Sequence, residues 1–435
     1  MWGGLLLAAA LGIPDLGAPA LGQAGATVAR PADLTALYYN PGALAFLEGV
    51  QVYADVRAID QRITYQRLDS AGLNPQNWAP VSNSGGAAIS PIIAASWHHG
   101  PLTLALGGHP FPGATGFEYP DPQADANPHA TPQRYLSIES HNKIYVPVLA
   151  GAVQLAPWLG VGAGLQLPVA YFDTRQSVYA GPVPGEYPEF DANLNLSGHQ
   201  WFAVSGVFGV SAQPLPWLLA GAAFQLRTKF HAQGTVYATL PQASTDLGLT
   251  VTGNRALIDV MFPWVLRAGV RLVQPSWSLE LAGTFEKWSM LKRITVTPED
   301  ISVQLHGLQL DLPQFILEKD LQDAGSVRLG GEWRVKPWLA LRAGALYETN
   351  AIPENRQSLD WVAWQRFSFN AGVAVSVGRV EVALSGARFV QPDRDVRDSA
   401  LHQLTAFPVQ ATVIGDGNFH SGLTVAAISA NYRSQ

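Results

Sequence analysis

Two stretches without a single Asp, Glu, Lys or Arg, Ile144 to Phe172 and Gln200 to Leu226, limit what this chain can fold into. Each is long enough for a membrane helix, which needs about 20 apolar residues. Each also carries proline near its middle, Pro157-Trp158 in the first and Pro214-Leu215-Pro216-Trp217 in the second. That leaves arms of about 10 residues, too short for a spanning helix and the right length for a spanning β-strand. Proline is excluded from strand interiors and welcome in turns, so each stretch reads as a hairpin turned at its proline.

The device recurs. Pro-Trp or Pro-Ser-Trp stands at Pro157, Pro216, Pro275 and Pro337, at intervals of 59, 59 and 62 residues. His98-His99-Gly100-Pro101 and Gly378-Arg379 read as two further tight turns of the same series. Long polar or mixed segments lie between them, at 67–86, 111–134, 173–195, 233–255, 298–325, 350–366 and 391–419. Short turns alternating with long loops is the arrangement of an outer-membrane barrel, and Trp at a turn suits a ring at the lipid headgroup level. About fourteen strands follow, from near Gly49 to near Tyr432.

Period-two alternation supports this reading. Trp264, Leu266, Ala268, Val270 and Leu272 share one face, opposite Arg267, Gly269 and Arg271. Trp277, Leu279, Leu281 and Phe285 oppose Glu280 and Glu286, and Val327, Leu329 and Trp333 oppose Arg328, Glu332 and Arg334. A soluble sandwich would show the same parity, with its charges facing water. The apolar faces here sum to an unbroken belt with aromatics at its ends. Both signs of charge lie together on the other face, as in a polar barrel lumen. Charged residues are 14% of the 435, against roughly 25% in soluble domains. With 27 Lys+Arg against 33 Asp+Glu, nucleic acid is an unsuitable partner. Cysteine is absent, which removes disulfides, thiolate metal sites, thiol nucleophiles and a lipoprotein anchor.

Leu5 to Leu11 resembles the core of a signal peptide, although no Lys or Arg precedes Arg30, and residues 1–12 are read as its remnant. Residues 13–47, rich in Gly and Ala and ending in Tyr39-Asn40-Pro41-Gly42-Ala43-Leu44, are too few to fold alone. Their small side chains suit close backbone packing, and the lumen of the barrel over residues 48–435 is the available site.

On these residues the chain resembles the FadL-type outer-membrane transporters of hydrophobic compounds. Leu21 to Leu44 looks like their N-terminal hatch, with Gly22, Gly25, Asp33, Asn40, Pro41 and Gly42 as its residues here. The family usually has Asn-Pro-Ala where this chain has Asn-Pro-Gly. Gly107-Gly108-His109-Pro110-Phe111-Pro112-Gly113 resembles the segment at the kinked third strand. Phe262-Pro263-Trp264 through Glu286-Lys287-Trp288-Ser289, and Asp323 to Arg342, resemble later hairpins. The family usually ends in an aromatic residue read by the barrel-assembly machinery, whereas this chain ends Tyr432-Arg433-Ser434-Gln435. The resemblance implies an all-β, antiparallel transmembrane barrel, monomeric in the outer membrane among lipid and lipopolysaccharide. It also implies passive, ligand-gated diffusion of long-chain fatty acids or similar molecules. A FadL-like branch serving protein secretion is the alternative.

Within that frame, Gly107, Gly108, Pro110 and Gly113 mark a strand that cannot pair continuously. The functional reading is a gap for lateral exit, and the plain reading is the start of a loop. Arg227, Arg267, Arg271, Arg328, Arg334 and Arg342, with Glu280, Glu286, Glu332 and Glu348, are expected to brace the lumen wall. Arg227 and Lys229, placed on one lumen face, and Arg267 are the candidates for meeting a ligand carboxylate, with a pocket at Ile13 and Leu16. The adjacent His98 and His99 point oppositely in a strand and make a poor metal pair. Gly160 to Gly164 is a lumen face rather than a nucleotide loop, since no helix pattern follows. No catalytic, metal or cofactor motif is expected.

Overall fold

A computed structural model describes residues 15–111, 116–124, 127–310, 314–362, 364–407 and 409–434. Residues 1–12, expected to be a signal-peptide remnant, Ile13 and Gly113 lie outside them. Among the described residues fourteen antiparallel strands close a barrel. They are β1 (Val50–Arg67), β2 (Ala88–His99), β3 (Leu102–Pro110, resumed at Gly116–Glu118) and β4 (Glu139–Ala156). The next four come in two parts each: β5 (Leu159–Gln166, Val169–Tyr179), β6 (Asp191–Gln200, Ser205–Leu215), β7 (Leu218–Gln225, Thr228–Thr239) and β8 (Arg255–Phe262, Val265–Val273). β9 (Trp277–Glu286, Arg293–Pro298) and β10 (Phe315–Glu318, Ala324–Lys336) are also divided. β11 (Leu339–Glu348), β12 (Arg366–Val377), β13 (Val380–Val390) and β14 (Gly417–Arg433) complete the set. Pairing from Gln51↔Arg433 to Arg67↔Gly417 joins β14 to β1.

The alternation places apolar side chains outward. Leu281, Val327, Leu329 and Leu384 are exposed, while Glu280, Arg328 and Arg342 are buried within. Trp158, Trp217, Trp277 and Trp338 ring the short turns. Phe224, Trp264 and Phe285 pack against one another at the opposite edge of the belt, as do Tyr347 and Phe367. From Trp277 to Phe285 the strand rises about 26 Å, or roughly 20 Å along the barrel axis at a tilt near 40°, close to the height of a hydrocarbon band.

Strands β5 to β10 are interrupted beside this second edge and then run on beyond it. The expected loops at 173–195, 233–255 and 298–325 are correspondingly shorter, because β5 reaches Tyr179, β7 reaches Thr239 and β10 starts at Phe315. Above the belt the outer face meets water and the inner face a buried apolar cluster, so the alternation is reversed, with Leu194, Leu196, Phe230, Ile294 and Val296 inward and Asn195, Lys229, His231 and Arg293 outward. The interruptions also shift parity. In β7, Leu219, Ala223 and Gln225 face inward before the break, and Thr228, Phe230 and Ala232 after it. β6 and β8 shift in step, with Phe202 at φ 56° in the β6 bulge and Pro263-Trp264 in β8.

Residues 15–47 are buried almost throughout. They form two single-turn helices, α1 (Ala18–Leu21) and α2 (Ala36–Tyr39), and a 3-10 turn (Pro41–Phe46) started by Asn40, whose side chain accepts from the Gly42 N–H. Outside the belt, Tyr65 and Phe419 at the strand ends join Tyr119, Tyr135, Leu359, Trp364 and Ile414 from the loops in one apolar cluster. Beside it Arg134 pairs with Asp191 at 2.7 Å and with Glu186 at 3.5 Å, and Arg67 also pairs with Glu186.

Candidate functional site

The inner wall offers residues 15–47 a track without Cβ atoms. Gly209 of β6 lies against Asn40 and Pro41, and Gly221 of β7 against Val28 and Ala29. Gly269 of β8 meets Val28, Gly330 of β10 and Gly344 of β11 meet Gln23, and Gly372 of β12 meets Gly22. Gly221 pairs with Gly269, and Gly330 with Gly344, so the track crosses from strand to strand along the ladder. On β9 the wall supplies a carboxylate instead: Glu280 accepts from the Val28 and Ala29 N–H groups at 2.6 and 2.9 Å and pairs with Arg271 at 2.8 Å. Asp55 accepts from the Ala18 N–H at 2.7 Å, Arg57 donates to the Asp15 carbonyl at 2.7 Å, and Arg328 pairs with Asp15 at 2.5 Å. Asn40, fully buried, donates to the Val28 and Val210 carbonyls at 2.8 Å each. Asp33 accepts from the Thr35 N–H at 2.9 Å, and Gly25 adopts φ 69°.

The expected wall ladders are thus only part of what the lumen charges do. Arg342 bridges Glu332 and Glu381 at 2.8 and 2.9 Å, but Arg328, Glu280 and Arg57 hold the backbone of the N-terminal segment. A second correction concerns Arg227 and Lys229. Arg227 is exposed at the β7 break. Lys229 points outward, opposite Phe230, which packs on the buried Phe262. A one-residue shift at the break exchanges the two faces, so parity counted through it assigns the wrong side. Leu16 is buried, its N–H donating to the Tyr39 hydroxyl at 2.8 Å. Arg267 is buried 4.3 Å over the Tyr38 ring and bonds the Gln225 amide oxygen at 3.3 Å. The structure therefore brings Leu16 and Arg267 to the N-terminal segment and leaves Arg227 and Lys229 apart from them.

One buried apolar cluster runs from loop residues Trp361 and Leu404 over Phe172, Phe230 and Phe262 to Leu34, Tyr38 and Leu44. It reaches the wall at Ile92, Ile144 and Val146, where β2 and β3 part. Their ladder runs from His99↔Leu102 to Ile93↔Gly108, while β2 remains paired with β1 as far as Ala88. Among the described residues the β2 edge from Ala88 to Ile92 has no partner on the β3 side. The parting begins beyond Gly108, not at a bend in Gly107-Gly108, because β3 stays in register with β4 through Pro110↔Tyr145. Gly108 lies under the Tyr145 ring. His109 turns inward against Tyr38, ring centres 5.2 Å apart, with its Nε2 buried and unpartnered. Phe111 stacks on Phe262.

A family described as outer membrane protein transport protein (OMPP1/FadL/TodX) matches residues 3–378. The chain belongs to this FadL/TodX family. Its fold is that of Gram-negative outer-membrane barrels, and family members are transport channels. A FadL homologue of Pseudomonas aeruginosa is 14% identical with a TM-score of 0.78, the alignment covering 99% of each chain. The toluene transporter TbuX of Ralstonia pickettii is 15% identical (TM-score 0.68), covering 97% of this chain and 99% of TbuX. The toluene transporter TodX of P. putida is 13% identical (TM-score 0.69), with the same coverage. No curated protein matches the sequence.

The residue patterns alone did not reveal the glycine track, the carboxylate Asp55, or that Glu280, expected to brace the wall, also holds the Val28 and Ala29 N–H groups. Each such glycine is ordinary within its own strand, and only their common height, set by register, makes a track. His98 bonds Thr103 at 2.9 Å and His99 stacks on Trp97, so the two are engaged separately. Glu118, Glu139 and His141 come together among the described residues, with Glu139 already 3.2 Å from Arg175.

Proposed function

We propose that this chain takes up hydrophobic small molecules, long-chain fatty acids or similar apolar compounds, by diffusion through the barrel, with residues 13–47 as a hatch. The observation that carries the reading is the β2 edge left unpaired at Ala88–Ile92, beside a buried apolar cluster that extends to the outer loops. A ligand enters among the loops near Trp361 and Leu404, passes Phe172, Phe230 and Phe262 above the hatch, and leaves sideways between β2 and β3. Leu16 and Arg267 flank its path, and movement follows from ligand binding that favours a displaced hatch. Lateral exit keeps the ligand out of water, where each CH₂ rehydrated would cost about 0.8 kcal/mol.

The native chain has no cysteine, so an Ile92→Cys/His109→Cys pair, at the first rung the β2–β3 ladder does not make, can act as a reversible staple. Cells lacking their own transporter and expressing this pair are assayed with radiolabelled oleate and toluene. Uptake lost on oxidation and restored by reductant supports lateral exit. Uptake insensitive to a staple shown to have formed excludes it. A folded wild-type barrel that carries neither compound moves the reading to a protein-binding or secretion role.

A further inference from the structure

Strands β8 and β9 also part, just above the edge of the belt where Phe224, Trp264 and Phe285 pack. Their lower ladder ends at Val265↔Glu286 and the upper one starts at Asp259↔Thr295, so 260–263 and 288–294 face each other without a rung. A cavity of about 310 Å³ lies there, lined on its outward side by Lys229, Met261, Met290, Lys292 and Arg293. The uptake path does not use it.

Register brings these cations together. Lys229 of β7 is paired with Met261 of β8, and the β8–β9 register carried two residues below Asp259↔Thr295 sets Arg293 on the other side of Met261. Two strand spacings, about 10 Å, separate the backbones of Lys229 and Arg293, within reach of two long side chains converging on one group. Lys229, Lys292 and Arg293 are exposed, and none makes an ion pair or a side-chain hydrogen bond among the described residues. The acids beside them are engaged. Asp259, the carboxylate in the lining, pairs with His231. Glu318, across the ladder from Arg293, pairs with Arg356 at 3.0 Å, and Asp300 takes Arg255 at 2.7 Å. Three cations against one carboxylate leave the lining with two positive charges in excess when His231 is neutral.

Height decides the class of ligand. Met261 stands three residues above Trp264, about 10 Å along the strand and roughly 8 Å along the barrel axis at a tilt near 40°. A headgroup layer extends about 5–8 Å from the hydrocarbon. The three cations thus face sideways at headgroup level, where basic clusters recruit anionic headgroups. Below them the exposed Leu266, Val270 and Leu281 continue the wall into the belt. A phosphate monoester carries about −1.5 to −2 charges on three acceptor oxygens, which matches the excess in the lining.

We infer that this cavity is a glycolipid site: Lys229, Lys292 and Arg293 hold a phosphate of one lipopolysaccharide molecule, whose acyl chains lie down the belt over Leu266, Val270 and Leu281. The long loops put this end of the barrel at the outer leaflet, where lipopolysaccharide is the phosphate-bearing lipid. The site lies on the outside of the wall and stands apart from the uptake reading.

Purified full-length protein in neutral detergent is titrated with bisphosphorylated lipid A, with the same lipid stripped of phosphate, and with inorganic phosphate, and bound copies are counted by native mass spectrometry. Wild type is expected to take one lipid A at least tenfold more tightly than the stripped lipid, as charge-assisted hydrogen bonds predict. Lys229→Gln/Arg293→Gln is expected to erase that preference. Lys336→Gln/Arg379→Gln, which removes two exposed cations at the short-turn end, keeps it. Lys229→Arg/Arg293→Lys also keeps it, which separates loss of charge from loss of fold. Lipid A is expected to slow hydrogen exchange of peptides spanning 287–296 in wild type and not in Lys229→Gln/Arg293→Gln. Equal binding of stripped and phosphorylated lipid, or an equal loss in both charge-removing variants, overturns the site. Inorganic phosphate bound as tightly as lipid A overturns the lipid as its ligand.

Discussion

Replacing Gly221 by alanine tests whether the N-terminal segment is held by the glycine track. A methyl at this position would stand 2.7 Å from the Val28 and Ala29 carbonyl oxygens and 2.7 Å from the Asn40 amide nitrogen. None of the three can yield easily, because Asn40 is fully buried and already bonds Val28 and Val210. Ordinary contact requires a retreat of more than half an ångström. That costs about one buried hydrogen bond, near 1 kcal/mol, plus about 1–3 kcal/mol of overpacking. About 2 kcal/mol taken from the docked state alone corresponds to roughly 30-fold faster local opening. Hydrogen exchange of peptides within 18–46, with the barrel strands as internal reference, reads this directly. Gly151→Ala is the control, since its methyl meets Leu104 at an unstrained 3.6 Å. If Gly221→Ala exchanges like wild type, or if barrel peptides accelerate equally, the close docking argued above is refuted.

Glu280→Gln removes the buried charge that faces Arg271 and holds two backbone N–H groups. It should cost about 3 kcal/mol or more, seen as a lower thermal midpoint together with faster exchange at Val28 and Ala29. Burial raises the Asp33 carboxyl above its ordinary 3.8. For a raised folded pKa the contribution is fully present below 3.8 and is lost as pH rises through the folded value, so segment docking weakens on raising pH across that window. Asp33→Asn, which keeps the acceptor to the Thr35 N–H, should flatten the exchange-versus-pH profile of residues 33–40. Leu329→Arg puts a charge in mid-belt on the outer face and should reduce folding into lipid vesicles by about 2–4 kcal/mol, measured by urea titration of vesicle-bound barrel.

Much of the architecture is readable residue by residue. All six short turns fall where Pro-Trp, Pro-Ser-Trp, Gly-Pro or Gly-Arg stands, and the outward belt follows from strict alternation in β8 to β11. These features are local: proline removes a donor wherever it sits, and a strand has two faces in any fold. Two other features depend on what lies beside a residue in space. The upper halves of β6, β7 and β9 alternate in the opposite sense to the belt, apolar inward, because the interior they face above the belt is an apolar cluster built by other strands and loops. Lys229 faces outward only because β6, β7 and β8 all shift by one residue at the same level, which no single strand records.

The N-terminal segment draws the same line. Its composition shows that it cannot fold alone and prefers close backbone contact. Where it rests is decided by Gly209, Gly221, Gly269, Gly330, Gly344 and Gly372, which are far apart in the chain and reach one height only when the barrel closes. The sequence by itself determined the barrel, its turns and its lipid-facing side, because those follow from period and proline. Only the tertiary structure decided which lumen charges clamp the segment and where β3 leaves β2. Each of those is a relation between strands set by register, and register is a property of the closed sheet.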